Sequence, residues 1–250
     1  MRRLNLWLAA AILAAGITGC RGEAQEPSTS STARALLAQP RPEQLSTTFD
    51  AERLASDPPA LSIEELGVNS GSDEAPIKVI EFVDFGCGFC RQFQLETFPA
   101  LRAEFIVTNK IQWKLMPFIT GIFPNSPAAT EAAECALDQG ARLFGALDDR
   151  LWNEQREWKG SSDAAALVRG WALEMGADAA AYDACIQDGT RHERITSANE
   201  VARQLGVRAT PTFWIVGGGP IQGALPLESF RQIFTQIYDQ VTADQANGAG

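Results

Sequence analysis

The sequence predicts an α/β fold, a βαβ half and a ββα half separated by a block of helices, on three observations. Pro76 to Asp84 is a run of β-branched and aromatic residues with no breaker inside it, which reads as a buried strand. Two further strand-like runs, Lys110 to Phe118 and Pro211 to Val216, are separated by an Ala-rich stretch from Ser126 to Leu205 punctuated by glycines. That stretch reads as helical, and an amphipathic run follows near the C-terminus. Strands and helices in this mixed order mark the α/β class.

The elements follow in order. Cys87 to Phe105 reads as a helix kinked or broken at Pro99, because proline removes an amide donor and crowds the preceding turn. Lys110 to Phe118 alternates as the second strand. Ser126-Pro127 opens a helix, with serine as the cap and proline in the first turn, and Gly140 ends it. Ser161-Ser162-Asp163 opens another. Pro211 to Val216 is a strand, Gly217-Gly218-Gly219-Pro220 a turn, Ile221 to Leu225 a strand, and Pro226 to about Val241 the final helix. Trp152, Trp158 and Trp171 read as core or groove wall, and Asp148-Asp149 as part of a solvated face.

The ends carry separate information. Arg2 and Arg3 precede an apolar run from Leu4 to Ile17 that closes on Ile17-Thr18-Gly19-Cys20. A short basic segment before so short an apolar run reads as an export signal rather than a spanning helix. Residues 1–19 are expected as the signal, 20–62 as a polar tether rich in Ser, Thr, Gln and Pro, 63–243 as the folded domain with a helical insertion over about 122–205, and 244–250 as a flexible tail. Ile17-Thr18-Gly19-Cys20 is similar to a bacterial lipobox, which implies a lipid on Cys20. An ordinary signal or an uncleaved anchor is the alternative, and all three place the domain outside the cytoplasm, where disulfides persist.

The formal net charge of −10 excludes the basic footprint of a nucleic-acid binder. Removal of residues 1–19 takes away Arg2 and Arg3, giving 19 − 31 = −12. Five cysteines are present, and a lipid on Cys20 would leave an even four. Two of them, in Cys87-Gly88-Phe89-Cys90, directly follow the first strand and open a helix. Thiols at that spacing lie within disulfide reach, and the helix N-terminus favours the first as thiolate. A zinc site built from Cys87, Cys90, Cys135 and Cys185 is the competing reading, but structural zinc draws on two close-spaced pairs and the second pair here is 50 residues apart. No metal and no cofactor is expected.

Three stretches resemble the DsbA-like thiol:disulfide oxidoreductases of the bacterial envelope: Glu81-Phe82-Val83-Asp84-Phe85-Gly86-Cys87-Gly88-Phe89-Cys90, Glu131-Ala132-Ala133-Glu134-Cys135-Ala136-Leu137-Asp138-Gln139-Gly140, and Gly206-Val207-Arg208-Ala209-Thr210-Pro211-Thr212-Phe213. The resemblance covers roughly residues 65 to 243. It implies a thioredoxin fold with a mixed central sheet and an inserted α-helical subdomain, an exposed nucleophile at Cys87 and a buried resolving thiol at Cys90. It further implies a cis bond before Pro211, with Thr210 and Phe89 meeting the substrate chain, and an acid at Glu81 that helps move the Cys90 proton. A trans proline at an edge strand and a Glu81 facing water remain the alternatives. Cys135 and Cys185 match a pair that some relatives bridge; two free buried cysteines are the alternative.

The implied activity is the formation or exchange of disulfides in exported proteins through Cys87 and Cys90. The implied partners are exported protein thiols and a membrane redox partner, either a quinone-linked oxidase or a thiol reductant donor, with the chain acting as a monomer. Gly88-Phe89 supplies no charge and no side-chain donor, so Cys87 is expected to ionise more easily than an ordinary thiol but less than at the ~3.5 of DsbA. That leaves an isomerase or reductase as the alternative direction. A lipid-anchored binding or chaperone module with structural cysteines is the alternative of a different class.

Overall fold

In the computed structural model, which describes residues 61–189 and 191–248, a five-stranded mixed sheet carries the site at the C-terminal end of its middle strand. The expected signal, Cys20 and the tether to residue 60 lie outside the described residues. The strands are β1 (Val68–Ser70), β2 (Ile77–Val83), β3 (Ile111–Pro117), β4 (Thr212–Ile215) and β5 (Gly219–Gln222). Their order is β1-β3-β2-β4-β5. β2 and β3 run parallel, with Glu81 opposite Leu115. β1 lies antiparallel to β3, and β4 antiparallel to both β2 and β5.

β2 occupies the centre because six of its seven residues are buried, the exception being Lys78. Its alternation divides the core. Ile77 and Val79 join Phe93, Leu101, Phe105, Trp113, Phe213, Phe230 and Phe234 on one face. Ile80 and Phe82 join Met116, Phe118, Ala198, Val201 and Ala202 on the other. Both faces of this central strand, parallel to β3 and antiparallel to β4, are thus covered. Phe93 is the hub of the aromatic face, its ring 4.5 Å from Phe213 and 5.4 Å from Phe230.

The run after β2 is helical from residue 88 to 106, and no break occurs at Pro99. It passes through α1 (Gly88–Gln92), a π-turn (Phe93–Thr97), α2 (Phe98–Leu101) and a second π-turn (Arg102–Ile106). Pro99 sits in the first turn of α2, where its missing N–H falls among donors that a wide turn leaves unpaired anyway. The bond from Val107 N–H to Arg102 O, 2.9 Å, spans five residues as a π-turn requires.

The inserted block holds α3 (Ser126–Asp138), α4 (Ala141–Asn153), α5 (Gln155–Gly160), α6 (Ala164–Glu174), α7 (Ala179–Asp188) and α8 (His192–Gln204). Asp163 and Asp178 cap α6 and α7 by accepting from Ala166 N–H and Ala181 N–H, as short acids do at helix starts. Ser126 does not cap α3. Asn125 occupies the cap position, and the Ser126 hydroxyl donates instead to Asp84. Cys135 on α3 and Cys185 on α7 form a disulfide, which removes two of the four thiolates that a zinc site would need.

Other boundaries shift as well. β1 was not evident in the sequence. β5 starts at Gly219 and takes in Pro220, which the sequence placed in the turn; Pro220 faces Trp214 on the outermost strand, where a missing donor costs no ladder bond. The last helix, α9 (Leu227–Gly248), runs past Val241 into the segment read as a tail. Among the described residues no helix is long and apolar enough to cross a membrane.

Candidate active site

Cys87 stands at the cap position of α1 with extended backbone, φ −75° and ψ 124°. Its N–H donates to Asp84 O at 2.8 Å, and its carbonyl accepts from Arg91 N–H at 3.1 Å. The strand therefore ends in a tight turn that delivers Cys87 to the start of the helix, with Cys90 on the first turn. Cys90 is fully buried. Cys87 is 6% exposed, so the nucleophile expected to be exposed is instead nearly enclosed. It lies under the loop before β4, where its thiol meets the Thr210 carbonyl at 3.3 Å, and against α5. Phe89, between the two cysteines, is 67% exposed. The Thr210–Pro211 peptide is cis.

The two thiols ionise very differently. Cys87 is lowered to about 6, first by the hydrogen bond from the Cys90 thiol, then by the Thr210 hydroxyl and by the N–H groups of Cys90 and Phe89, against the opposing pull of burial. The helix terminus thus contributes less than the neighbouring thiol. Cys90 is pushed well above the ordinary thiol range by burial and by the Cys87 sulfur beside it. At pH 7 a thiol with a pKa of about 6 is roughly tenfold more thiolate than thiol, so Cys87 carries the charge and Cys90 the proton.

Glu81 lies fully buried in β2, on the same face as Val79. Its carboxyl accepts from Gln94 Nε2 at 3.0 Å and from the Trp113 indole at 2.9 Å. Gln94 stands four residues after Cys90, so the acid lies beneath the helical run that carries the dithiol. Burial raises Glu81 to about 8 despite its two partners, and Asp148 adds to the rise. Asp148 is itself a departure from the solvated face expected for Asp148-Asp149. It is half-buried on the inward side of α4, accepts from the Trp152 indole at 3.1 Å, and is raised by burial to about 7. Asp149 is exposed.

The raised Glu81 sets a pH dependence. An acid whose folded pKa exceeds its unfolded one stabilises the fold only while protonated. Its contribution is complete below about 4.5 and is lost as pH rises through about 8. The oxidised protein, in which Cys87 does not titrate, should therefore lose on the order of 3 kcal/mol between pH 5 and 8 through Glu81. Glu81→Gln should remove the larger part of that slope in urea titrations across this range, leaving the smaller loss of the same sign from Asp148. An unchanged slope would place the titration elsewhere.

Asp84 is a site residue that sequence reasoning missed. It is 1% exposed, with one carboxylate oxygen accepting from Gly86 N–H at 2.9 Å and from the Ser126 hydroxyl. The other accepts from Thr120 N–H at 2.8 Å and the Thr120 hydroxyl at 2.7 Å. One carboxylate thus ties the turn before Cys87 to the loop entering the helical block. The only hint in the sequence was an acid ending an apolar strand. Cys87, Cys90, Thr210 and Pro211 are brought together, with Glu81 below them. Cys135 and Cys185 pack in the same apolar cluster as the dithiol but are joined to each other. Among the described residues no group of three or more His, Cys, Asp or Glu side chains could hold a metal ion.

Comparison with known proteins agrees with this fold. The Na(+)/H(+) antiporter NhaA 3 of Salinispora tropica is 32% identical over 149 residues, 59% of this chain and 21% of that protein. The chain thus spans about a fifth of that relative's length. The probable disulfide bond formation protein D of Bacillus cereus is 26% identical over 151 residues, 59% of this chain and 68% of that one. Among solved structures, alpha-DsbA1 of Wolbachia pipientis shares the fold with a TM-score of 0.64 at 20% identity, over 73% of this chain and 98% of that one. With a mixed sheet, a dithiol at the end of its central strand and the thioredoxin family profile matching residues 64–235, the chain belongs to the thioredoxin family.

Proposed function

We propose that the chain is an extracytoplasmic thiol:disulfide oxidoreductase that makes disulfides in exported proteins. The observation that carries this reading is the asymmetry of the dithiol: Cys87 at the start of α1 with its sulfur against Thr210, held below the ordinary thiol range, and Cys90 fully buried behind it, held above that range. Stabilising the thiolate stabilises the reduced enzyme, and so makes the oxidised enzyme the better electron acceptor. The name of the Bacillus cereus relative points the same way.

The cycle starts from the Cys87–Cys90 disulfide. A substrate thiolate attacks the Cys87 sulfur, and the electron pair of the broken bond passes to Cys90. The Cys90 thiolate takes a proton, for which neutral Glu81 is the nearby buried source. A second substrate thiolate then attacks the substrate sulfur of the mixed disulfide and expels Cys87, whose low pKa makes it a good leaving group. Two substrate thiols become one disulfide and the enzyme becomes a dithiol. Thr210 and exposed Phe89 flank the reacting sulfur and are the contacts proposed for the substrate chain. Reoxidation falls to a membrane redox partner, which a lipid on Cys20 would keep close.

The reduction potential of Cys87–Cys90 in glutathione buffers tests the direction. A value more oxidising than about −200 mV, with turnover on reduced unfolded ribonuclease, is expected. A value near the −270 mV of thioredoxin would reverse the reading to a reductase.

A further inference from the structure

The inserted helical block reaches the redox centre through its shortest helix. Gln155 and Lys159 stand one turn apart on α5, so both side chains leave the same face. Gln155 Nε2 donates to Phe85 O at 2.6 Å and to Cys87 O at 2.9 Å. Lys159 Nζ donates to Gly86 O at 2.6 Å. Three consecutive carbonyls of the turn leading into Cys87 are therefore held by two side chains from another part of the fold.

The clamp is itself supported. Asn125 Nδ2 donates to the carbonyls of Trp158, Lys159 and Ser161, closing the end of α5. The Lys159 ammonium lies 4.5 Å from the centre of the Phe123 ring. The Phe123 side chain packs so closely on Gly86 that a Cβ there would meet its Cβ at 2.4 Å and its ring at 2.6 Å, so glycine is what allows Lys159, Phe123 and the turn to stack. Gln155 is 3% exposed, and Lys159 is half-buried.

Carbonyl oxygens carry partial negative charge, and three of them beside a thiolate would oppose its formation. Bound to an amide and an ammonium, their charge is offset, while the N–H groups of Phe89 and Cys90 remain directed at the Cys87 sulfur. Gly88-Phe89 brings no side-chain donor of its own, so the insertion supplies from outside what the dipeptide lacks. We propose that Gln155 and Lys159 are positioning residues that hold the turn before Cys87 in this orientation, and thereby set how readily Cys87 ionises and how oxidising the pair is. The other ionisable groups on the elements around the dithiol are Cys90 and Arg91 on α1, Lys78, Glu81 and Asp84 at β2, Arg142, Asp148, Asp149 and Arg150 on α4, Arg156 and Glu157 on α5, and Arg208 before Thr210. None of these bonds the Phe85–Cys87 carbonyls through its side chain in the structure.

The proposal rests on Cys87 being the reactive thiol. Its test compares the full chain with Lys159→Met and Lys159→Arg, following thiolate absorbance and iodoacetamide reaction against pH, with the glutathione equilibrium and the melting temperature measured alongside. Lys159→Met should lower the thiolate-to-thiol ratio of Cys87 about three- to tenfold at a given pH and shift the glutathione equilibrium toward a less oxidising pair, while Lys159→Arg, which keeps charge and donors, should stay near the wild type. Gln155→Glu gives a second measurement, expected to lower the ratio by setting an anion against the same carbonyls. A Lys159→Met protein with lower melting temperature but an unchanged ionisation profile overturns the proposal and leaves the functional reading intact. A wild-type chain whose Cys87 and Cys90 do not interconvert between dithiol and disulfide overturns the functional reading instead.

Discussion

Replacing Cys87 by serine is expected to abolish disulfide exchange, with at least about a thousandfold loss in the rate at which the oxidised protein forms disulfides in reduced ribonuclease. A hydroxyl neither forms the disulfide with Cys90 nor leaves as an anion at neutral pH, so nothing in the cycle survives. The companion change, Cys90→Ser, should fail at a different step. Cys87 loses the Cys90 thiol but keeps the Thr210 hydroxyl and the helix N–H groups. Given a disulfide-bonded substrate, its thiolate attacks one sulfur, the other leaves as a substrate thiolate, and no neighbouring thiol is left to resolve the mixed disulfide. Mass spectrometry should then find substrate adducts on Cys90→Ser and none on Cys87→Ser. Full activity in Cys87→Ser would identify a binding or chaperone module in which the pair is only structural.

Removing the Cys135–Cys185 bridge is expected to cost stability rather than activity. The bond joins α3 to α7 across 50 residues, and loop-closure entropy for that span corresponds to about 4 kcal/mol. In a chain of this size that is roughly 10 °C in melting temperature. Alanine at both positions also removes sulfur from an apolar cluster in which Cys135 is 1% and Cys185 8% exposed, which adds to the loss. The Cys87–Cys90 potential should change little. An unchanged melting temperature would refute the stabilising role, and a potential that moves as far as that of Lys159→Met would show that this bridge serves the dithiol.

The sequence was most informative where chemistry is local. The apolar run of β2, the dithiol following it, the Asp163 cap and the α/β order all depend on neighbours along the chain. β1 escaped because three residues carry no period, and its place is set by glycines on either side, Gly67 and Gly71, that lie against the backbone of β3. Asp148 was misjudged because a pair of acids in an Ala-rich stretch gives no sign of which one turns inward. Asp84, Gln155 and Lys159 escaped for another reason. Their partners lie 36 to 73 residues away, and no spacing rule connects a glutamine on one helix to a carbonyl before another. The enclosure of Cys87 has the same origin, since the loop and helix that cover it come from distant parts of the chain.

The two wide turns between Cys90 and Ile106 bear on how this helical run can change. A π-turn holds one residue more than the α-helical turn it replaces, and one residue is about 100° of rotation about the helix axis. The run is therefore two short α-helical pieces in different phases, each followed by a wide turn. Gln94 points at Glu81, while Leu101 and Phe105 still face the aromatic core. A shortening of the chain by a single residue between Phe93 and Thr97 would leave a more regular helix with every backbone bond intact. It would also turn all that follows by more than a quarter of a revolution relative to Cys87 and Cys90. In this segment the length of the chain is as restrictive as its composition, and a substitution would be tolerated where a deletion would not.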